Sequence, residues 1–374
     1  MTIAVDTRFL MDDHPGGFGS YLYESFYHIT KDHPEHRFIF LFDRPYEKSF
    51  IEGENISQVI AGPSAHHPLL WQFWYNIKLP GILKKHKADL FIGTDGVCSL
   101  SAKTPQCLLV NDLSFLQHPA FFKRSLLLFY KRYTPRFLKK ANRIITASEF
   151  SRNIIMTHYK TAGDKIAIVP SVAREMFHPL NEKQKSELKN QMTNGIEYFL
   201  CTGPVHPHKN LMDLLKAFSI FKKRQASNWK LVLTGDFAGG NKQFIKSLET
   251  YKYREDVIVA GSVREKELVN IMGSAYALVY PSLWEGSGLA ILEAMRSDVP
   301  VIASGGSAMQ EMAGEAALYV DPADHADIAE KMMRLYKDES LRNQLVEKGR
   351  NVCRQYNLEQ STALLWQAIV KTVG

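Results

Sequence analysis

Short apolar runs rich in β-branched and aromatic residues recur through this chain, each separated from the next by a longer stretch of helical character. In the first half the runs are 3–5, 37–42, 90–92, 107–110, 143–146 and 166–169. In the second they are 198–201, 230–234, 257–260, 276–280, 301–303 and 318–320. A strand that is apolar along its whole length, rather than at every second residue, is covered on both faces. Strands alternating with helices therefore predict parallel α/β sheets. Two such sets in 374 residues predict two Rossmann-like domains. The link falls at 170–181, where the chain is Pro-containing and aperiodic, and a polar helix-prone segment follows at 182–194.

The composition excludes several classes. No stretch approaches the roughly 20 apolar residues of a spanning helix. The N-terminus, MTIAVDTRFL, enters a strand-like run with no basic region before it, so no signal peptide is expected. Cys98, Cys107, Cys201 and Cys353 are scattered and form no metal-ligand spacing, which reads as reduced thiols. No D-x-D pair and no His/Cys/carboxylate cluster suggests a metal. The net charge is +7, and residues 1–170 hold 21 Lys and Arg against 15 Asp and Glu, while the rest hold 25 against 24. Lys123, Arg124, Lys131, Arg132, Arg136, Lys139, Lys140 and Arg143 follow one another with no acidic residue among them. Thr134-Pro135 reads as the start of a second helix there, with Arg136, Lys140 and Arg143 on one face. The patch suits a solvated face of a packing helix, or contact through 121–143 with anionic headgroups or an anionic acceptor. No nucleic-acid motif accompanies it.

Residues 281–304, PSLWEGSGLAILEAMRSDVPVIAS, carry the strongest chemical signal. Glu285 and Glu293 bracket a glycine-rich turn between a strand and a helix expected at 289–295. A helix start offers unpaired N–H groups and the positive end of a dipole, which suits a diphosphate. Gly286 and Gly288 permit close backbone approach, and the two carboxylates can accept hydrogen bonds from hydroxyls. A polyhydroxylated molecule carrying a diphosphate is a nucleotide sugar. The same pattern also occurs as a plain α/β turn with solvated glutamates.

This segment resembles the E-x7-E signature of family 4 glycosyltransferases, retaining enzymes of the GT-B fold. It departs from the usual pattern at Ser287, Ala290, Arg296 and Asp298, none of which removes a carboxylate. The resemblance implies an α/β GT-B chain whose two Rossmann-like domains face across a cleft. It divides the chain into 1–170 on the acceptor side and 171–356 on the donor side, with a last helix at about 357–374 crossing back to the first domain. It implies metal-independent transfer of a sugar, with retention, from a nucleotide sugar to a glycan or lipid-linked glycan. No cofactor and no nucleic acid are expected, and the implied setting is the cytoplasm, with the inner face of the membrane as the alternative.

Site residues follow residue by residue. CTGPVHPHKN (201–210) is similar to the family's G-x-x-x-P-x-K-N element, with Lys209 matching its phosphate-binding lysine and Asn210 read as a helix cap. Family members often place an arginine where this chain has Pro204 or His208, so His206 or His208 would compensate if protonated. HPGGFGSY (14–21) resembles the family's glycine loop, with Gly16 and Gly17 approaching the donor diphosphate and a helix at 21–29. VNDLSF (110–115) resembles the family's H-D-L-S-F, with Asn111 in place of histidine and Asp112 either catalytic or bracing the loop. Ser148 is read as a helix cap, and Trp71, Trp74 and Tyr75 as core packing or a platform for an acceptor sugar. The implied roles are Glu285 for donor-sugar hydroxyls and Glu293 for the ribose. The segment Gly286, Ser287, Gly288 and Leu289, with Lys209, would hold the diphosphate. Two rivals stay open: a nucleotide-sugar binder without transfer, and another GT-B enzyme such as an epimerase or phosphorylase.

Overall fold

A computed structural model describes residues 1–11, 16–45, 52–64, 68–236 and 242–373. The expected loop residues His14 and Pro15 lie outside them. The chain divides into two compact units, Met1–Ser171 with Leu358–Gly374, and Val172–Asn357.

The first unit is built on seven strands: β1 (Thr2–Asp6), β2 (Arg37–Phe42), β3 (Ile56–Ile60), β4 (Leu90–Gly93), β5 (Gln106–Leu109), β6 (Arg143–Thr146) and β7 (Ile166–Ile168). Their order is β3-β2-β1-β4-β5-β6-β7, and every pair is parallel. The run RFIFLF of β2 is buried from Phe38 to Phe42, as a strand covered by helices on both sides must be. The edge strand β3, ISQVI, is only half-buried, and its polar Ser57 and Gln58 hide it from an apolar-run search. The helix Leu358–Val370 belongs to this unit: Tyr21 and Ser361 hydroxyls meet at 2.7 Å, and Trp366 stacks on His33 at 4.0 Å between ring centroids.

The second unit holds β8 (Tyr198–Thr202), β9 (Lys230–Thr234), β10 (Val257–Gly261), β11 (Ala277–Tyr280), β12 (Val301–Ser304) and β13 (Ala317–Val320). The order is β10-β9-β8-β11-β12-β13, again all parallel. In both sheets the chain winds outward one way from the first strand, then returns to its other side. The order therefore reverses between β1 and β4, and between β8 and β11. At such a switch point the two flanking loops leave in opposite directions and open a crevice at the carboxyl ends of the strands.

Three local expectations are corrected. The basic segment is one helix, Arg124–Lys140, with Pro135 inside it rather than at a new start. Losing one backbone hydrogen bond there costs about 3 kcal/mol, and burial of Phe129, Phe137 and Leu138 on one face offsets it. Arg143 is not on that helix: it opens β6, and its guanidinium donates to the Asp164 carbonyl at 2.7 Å. The helix after β1 starts at Gly16 and runs to Asp32, well before 21. Trp74 and Tyr75 are fully buried, and Trp74 donates to the Ala61 carbonyl at 2.6 Å, so they are core.

Candidate functional site

Lys209 and Glu285 meet at the second unit's switch point. The chain leaves β8 at Thr202, turns at Gly203, and makes a single 3₁₀ turn, Pro207–Lys209, before the helix Leu211–Gln225. It leaves β11 at Tyr280 and crosses 281–288 before the helix Leu289–Arg296. The two loops are pinned together at one carbonyl, where Leu283 N–H donates to His208 O at 2.7 Å. That clamp fixes the side chains above it. Lys209 Nζ donates to Glu285 Oε1 at 2.5 Å and to the Tyr280 hydroxyl, and Ser282 Oγ donates to the same Glu285 oxygen at 2.7 Å.

Gly203 makes room for this lysine. Its φ is +113°, and a Cβ there would sit 3.0 Å from Lys209 Cε. A side chain at this position would be strained by its backbone and would push Lys209 aside. Gly288, at φ +60°, lets the chain turn abruptly from the loop into the helix Leu289–Arg296. The first N–H groups of that helix have no acceptor within it, which leaves the end nearest Glu285 electropositive.

Burial and charge compete at both glutamates. Burial opposes the charge on Glu285, but Lys209 foremost, aided by Ser282 and by His208 when that ring is protonated, overcomes it and holds the carboxyl below its ordinary range. Burial likewise opposes the Lys209 charge, and Glu285 foremost, with Tyr280, raises it well above the usual lysine value. Both groups are thus ionised at neutral pH. Glu293 sits on the second turn of its helix at 3% exposure, and accepts from Arg174 Nε at 2.6 Å. Arg174 Nη1 reaches on to Glu265 at 2.5 Å. Here burial prevails over Arg174 and pushes the Glu293 carboxyl up. A buried carboxylate on a buried guanidinium is costly to desolvate, so its position is closely specified.

The structure brings Lys209, Glu285, Gly286, Ser287, Gly288, Leu289 and Glu293 into one unit, on two loops and one helix. It places the other candidates in the first unit. Gly16 and Gly17 form the first turn of the helix Gly16–Asp32. Asn111 is half-buried just beyond β5, and Asp112 accepts from Ser114 N–H at 2.7 Å, bracing the loop that opens the helix Ser114–Gln117. Ser148 caps its helix by accepting from Ser151 N–H at 3.1 Å. Asn210 occupies the cap position without capping. It adopts a left-handed conformation, and its amide instead donates to the Pro322 carbonyl at 2.6 Å, tying the lysine loop to the end of β13. Residue-by-residue reading missed Arg174, Tyr280 and Ser282. The available signal was that Arg174 is the one Lys or Arg in the linker 170–181.

The family of glycosyl transferases group 1 matches residues 182–352, and glycosyltransferase family 4 matches residues 15–172. Each unit of the chain thus matches one glycosyltransferase family. Among curated relatives it is 28% identical over 259 residues to the O-antigen chain mannosyltransferase B of Escherichia coli, covering 67% of this chain and 66% of that protein. It is 27% identical over 277 residues to the O-antigen chain mannosyltransferase RfbU of Salmonella typhimurium, covering 72% and 71%. The match thus spans about two thirds of the length of these relatives. Among solved structures, WaaG, a glycosyltransferase involved in lipopolysaccharide biosynthesis, superposes with a TM-score of 0.78 at 15% identity over 99% of both chains. Anabaena HepE, solved with UDP and glucose, does so at 0.75 and 14%, again over 99% of both. At these identities the likeness establishes the two-unit α/β fold of the GT-B class.

Proposed function

We propose that the chain transfers a hexosyl group, mannosyl by likeness to its curated relatives, from a nucleotide sugar to a glycan or lipid-linked glycan of the O-antigen type. The observation that carries this reading is the buried Lys209 held against Glu285 at a switch-point crevice. An ionised lysine beside a helix N-terminus is suited to neutralise a departing diphosphate without a metal. Among the described residues no group of three or more His, Cys, Asp or Glu is arranged to hold one.

In this reading Lys209 and the amides of Gly286, Ser287, Gly288 and Leu289 hold the diphosphate. Glu285 takes donor-sugar hydroxyls and Glu293 the ribose. Gly16, Gly17, Asn111 and Asp112 belong to the first unit, and their role rests on the family resemblance alone. Asn111 serves as a hydrogen-bonding group and carries no proton of its own in the reaction. Reaction on one face of an oxocarbenium-like sugar gives retention. The helix Arg124–Lys140 exposes Lys123, Arg124, Lys131, Arg132, Arg136 and Lys139 on the side away from buried Phe137. With exposed Leu128 among them, these cations suit an anionic lipid-linked acceptor at the inner face of the membrane. No helix among the described residues is long and apolar enough to cross a membrane.

The test is a thermal-shift panel of UDP, GDP, ADP and dTDP with their sugars. One base is expected to raise the unfolding temperature in a concentration-dependent way, by mass action on the folded state. Glu293→Ala is expected to remove that shift. A shift that survives intact in the variant contradicts the ribose role, and the absence of any shift across the panel contradicts the proposal.

A further inference from the structure

His206 and His208 stand in the lysine loop with their Nδ1 atoms 2.6 Å apart. Two facing nitrogens at that separation must be one donor and one acceptor. The backbone decides which. His208 N–H also points at His206 Nδ1, at 3.4 Å, so His206 Nδ1 is the bare nitrogen. His206 therefore carries its proton on Nε2, and His208 carries its proton on Nδ1. In its neutral form His208 is left with a bare Nε2. That nitrogen faces Glu285 Oε1 at 3.9 Å, on the side where Lys209 meets the same oxygen.

We propose that His208 binds the donor diphosphate only as an imidazolium, and that His206 makes it so by holding the neutral ring in the tautomer that presents a lone pair to the anion. The inference rests on the nucleotide-diphosphate reading above. A neutral His208 turns an electron pair toward the phosphate and repels it. A protonated His208 turns an N–H toward it and supplies the second cation beside Lys209. The second proton must go to His208 Nε2, because protonating His206 Nδ1 would set two N–H groups against each other. The charged groups around the ring favour this protonation on one side and oppose it on the other. Glu285 from the β11 loop attracts the proton, and Lys209, next to His208 in the β8 loop, repels it. Tyr280, hydrogen-bonded to Lys209, is kept a neutral phenol by burial. Asp236, at the end of β9, meets this loop through its backbone, accepting from Val205 N–H at 3.0 Å.

Diphosphate binding then draws a proton onto His208. The measurement is calorimetric titration of the nucleoside diphosphate that gives the thermal shift, between pH 6 and 8, in buffers of differing ionisation enthalpy. The nucleotide's own phosphate titration is common to all variants and cancels in the difference. Relative to His208→Gln, the wild-type chain is expected to take up an additional fraction of a proton near neutral pH. Its affinity advantage should fall from pH 6 to 8, by at most about a hundredfold, since one linked proton gives at most tenfold per pH unit. His206→Ala is expected to bind more tightly than wild type at pH 8 and with a shallower slope, because the freed neutral ring can place its N–H on Nε2. A merely structural histidine pair predicts no such gain. Equal proton uptake and equal slopes in wild type and His208→Gln would overturn the inference while leaving the nucleotide site standing. Failure of every nucleotide to bind wild type would overturn both.

Discussion

Lys209→Ala is expected to lower the rate of sugar transfer by about 10²–10³-fold, the loss typical of removing one preorganised charge stabiliser. The same substitution should destabilise the second unit. It leaves Glu285 buried beside Ser282 and Tyr280 with its principal cation gone, and breaking a buried pair from one side costs about 3–5 kcal/mol. The two losses separate by pH. In the wild-type chain Glu285 is held below its ordinary range, so its pairing stabilises the fold above the unfolded glutamate value near 4.3 and fades as pH falls through the lowered folded value. Without Lys209 the largest influence opposing burial is gone, and burial raises the folded value. The stability deficit is then full at neutral pH and shrinks as the medium is acidified and the carboxyl takes up a proton. Lys209→Ala with Glu285→Gln should recover most of the stability at pH 7 and none of the transfer. Urea unfolding of the wild-type chain and the two variants at pH 5 and 8, beside a transfer assay, checks this.

Arg174→Ala is the second large effect. Arg174 is 3% exposed, grips Glu293 and Glu265, and lies over the Phe177 ring at 4.9 Å. Its removal strands Glu293, whose carboxyl burial already pushes upward. A loss of about 3–5 kcal/mol is expected, with nucleotide affinity falling at least about tenfold as the carboxylate loses its orientation. Arg174→Lys should rescue little, because one ammonium cannot reproduce a planar fork shared between two carboxylates. Arg174→Ala with Glu293→Gln should restore stability and leave nucleotide binding weak. Wild-type affinity in the single variant would show that Glu293 needs no orienting partner.

The fold was legible because parallel strands buried on both faces leave uninterrupted apolar runs. The runs at 37–42 and 230–234 coincide with β2 and β9 to the residue. The exception, β3, lies at an edge, where half-burial lets Ser57 and Gln58 dilute the signal. Helix starts were less legible. Thr134-Pro135 carries a start signature that tertiary packing overrides, and Asn210 carries a cap signature but spends its side chain on Pro322. Within the candidate site, the spacing of Glu285 and Glu293 was visible because both lie on one turn-helix segment. Their partners were not. Arg174 is 119 residues from Glu293 in sequence, and Tyr280 reads as the last residue of a strand, with no local mark that its hydroxyl meets Lys209. The His206–His208 contact is local, but which nitrogen donates depends on a backbone geometry that spacing does not report.

The central claim is that the crevice between the loops after β8 and β11 grips the donor through its diphosphate. A crystal structure with the nucleoside diphosphate bound tests it most directly. The terminal phosphate is expected within hydrogen-bond distance of Lys209 Nζ and of the amides at 286–289, with the ribose hydroxyls on Glu293. A nucleotide seated elsewhere, with Lys209 and Glu285 still closed on each other, would contradict it.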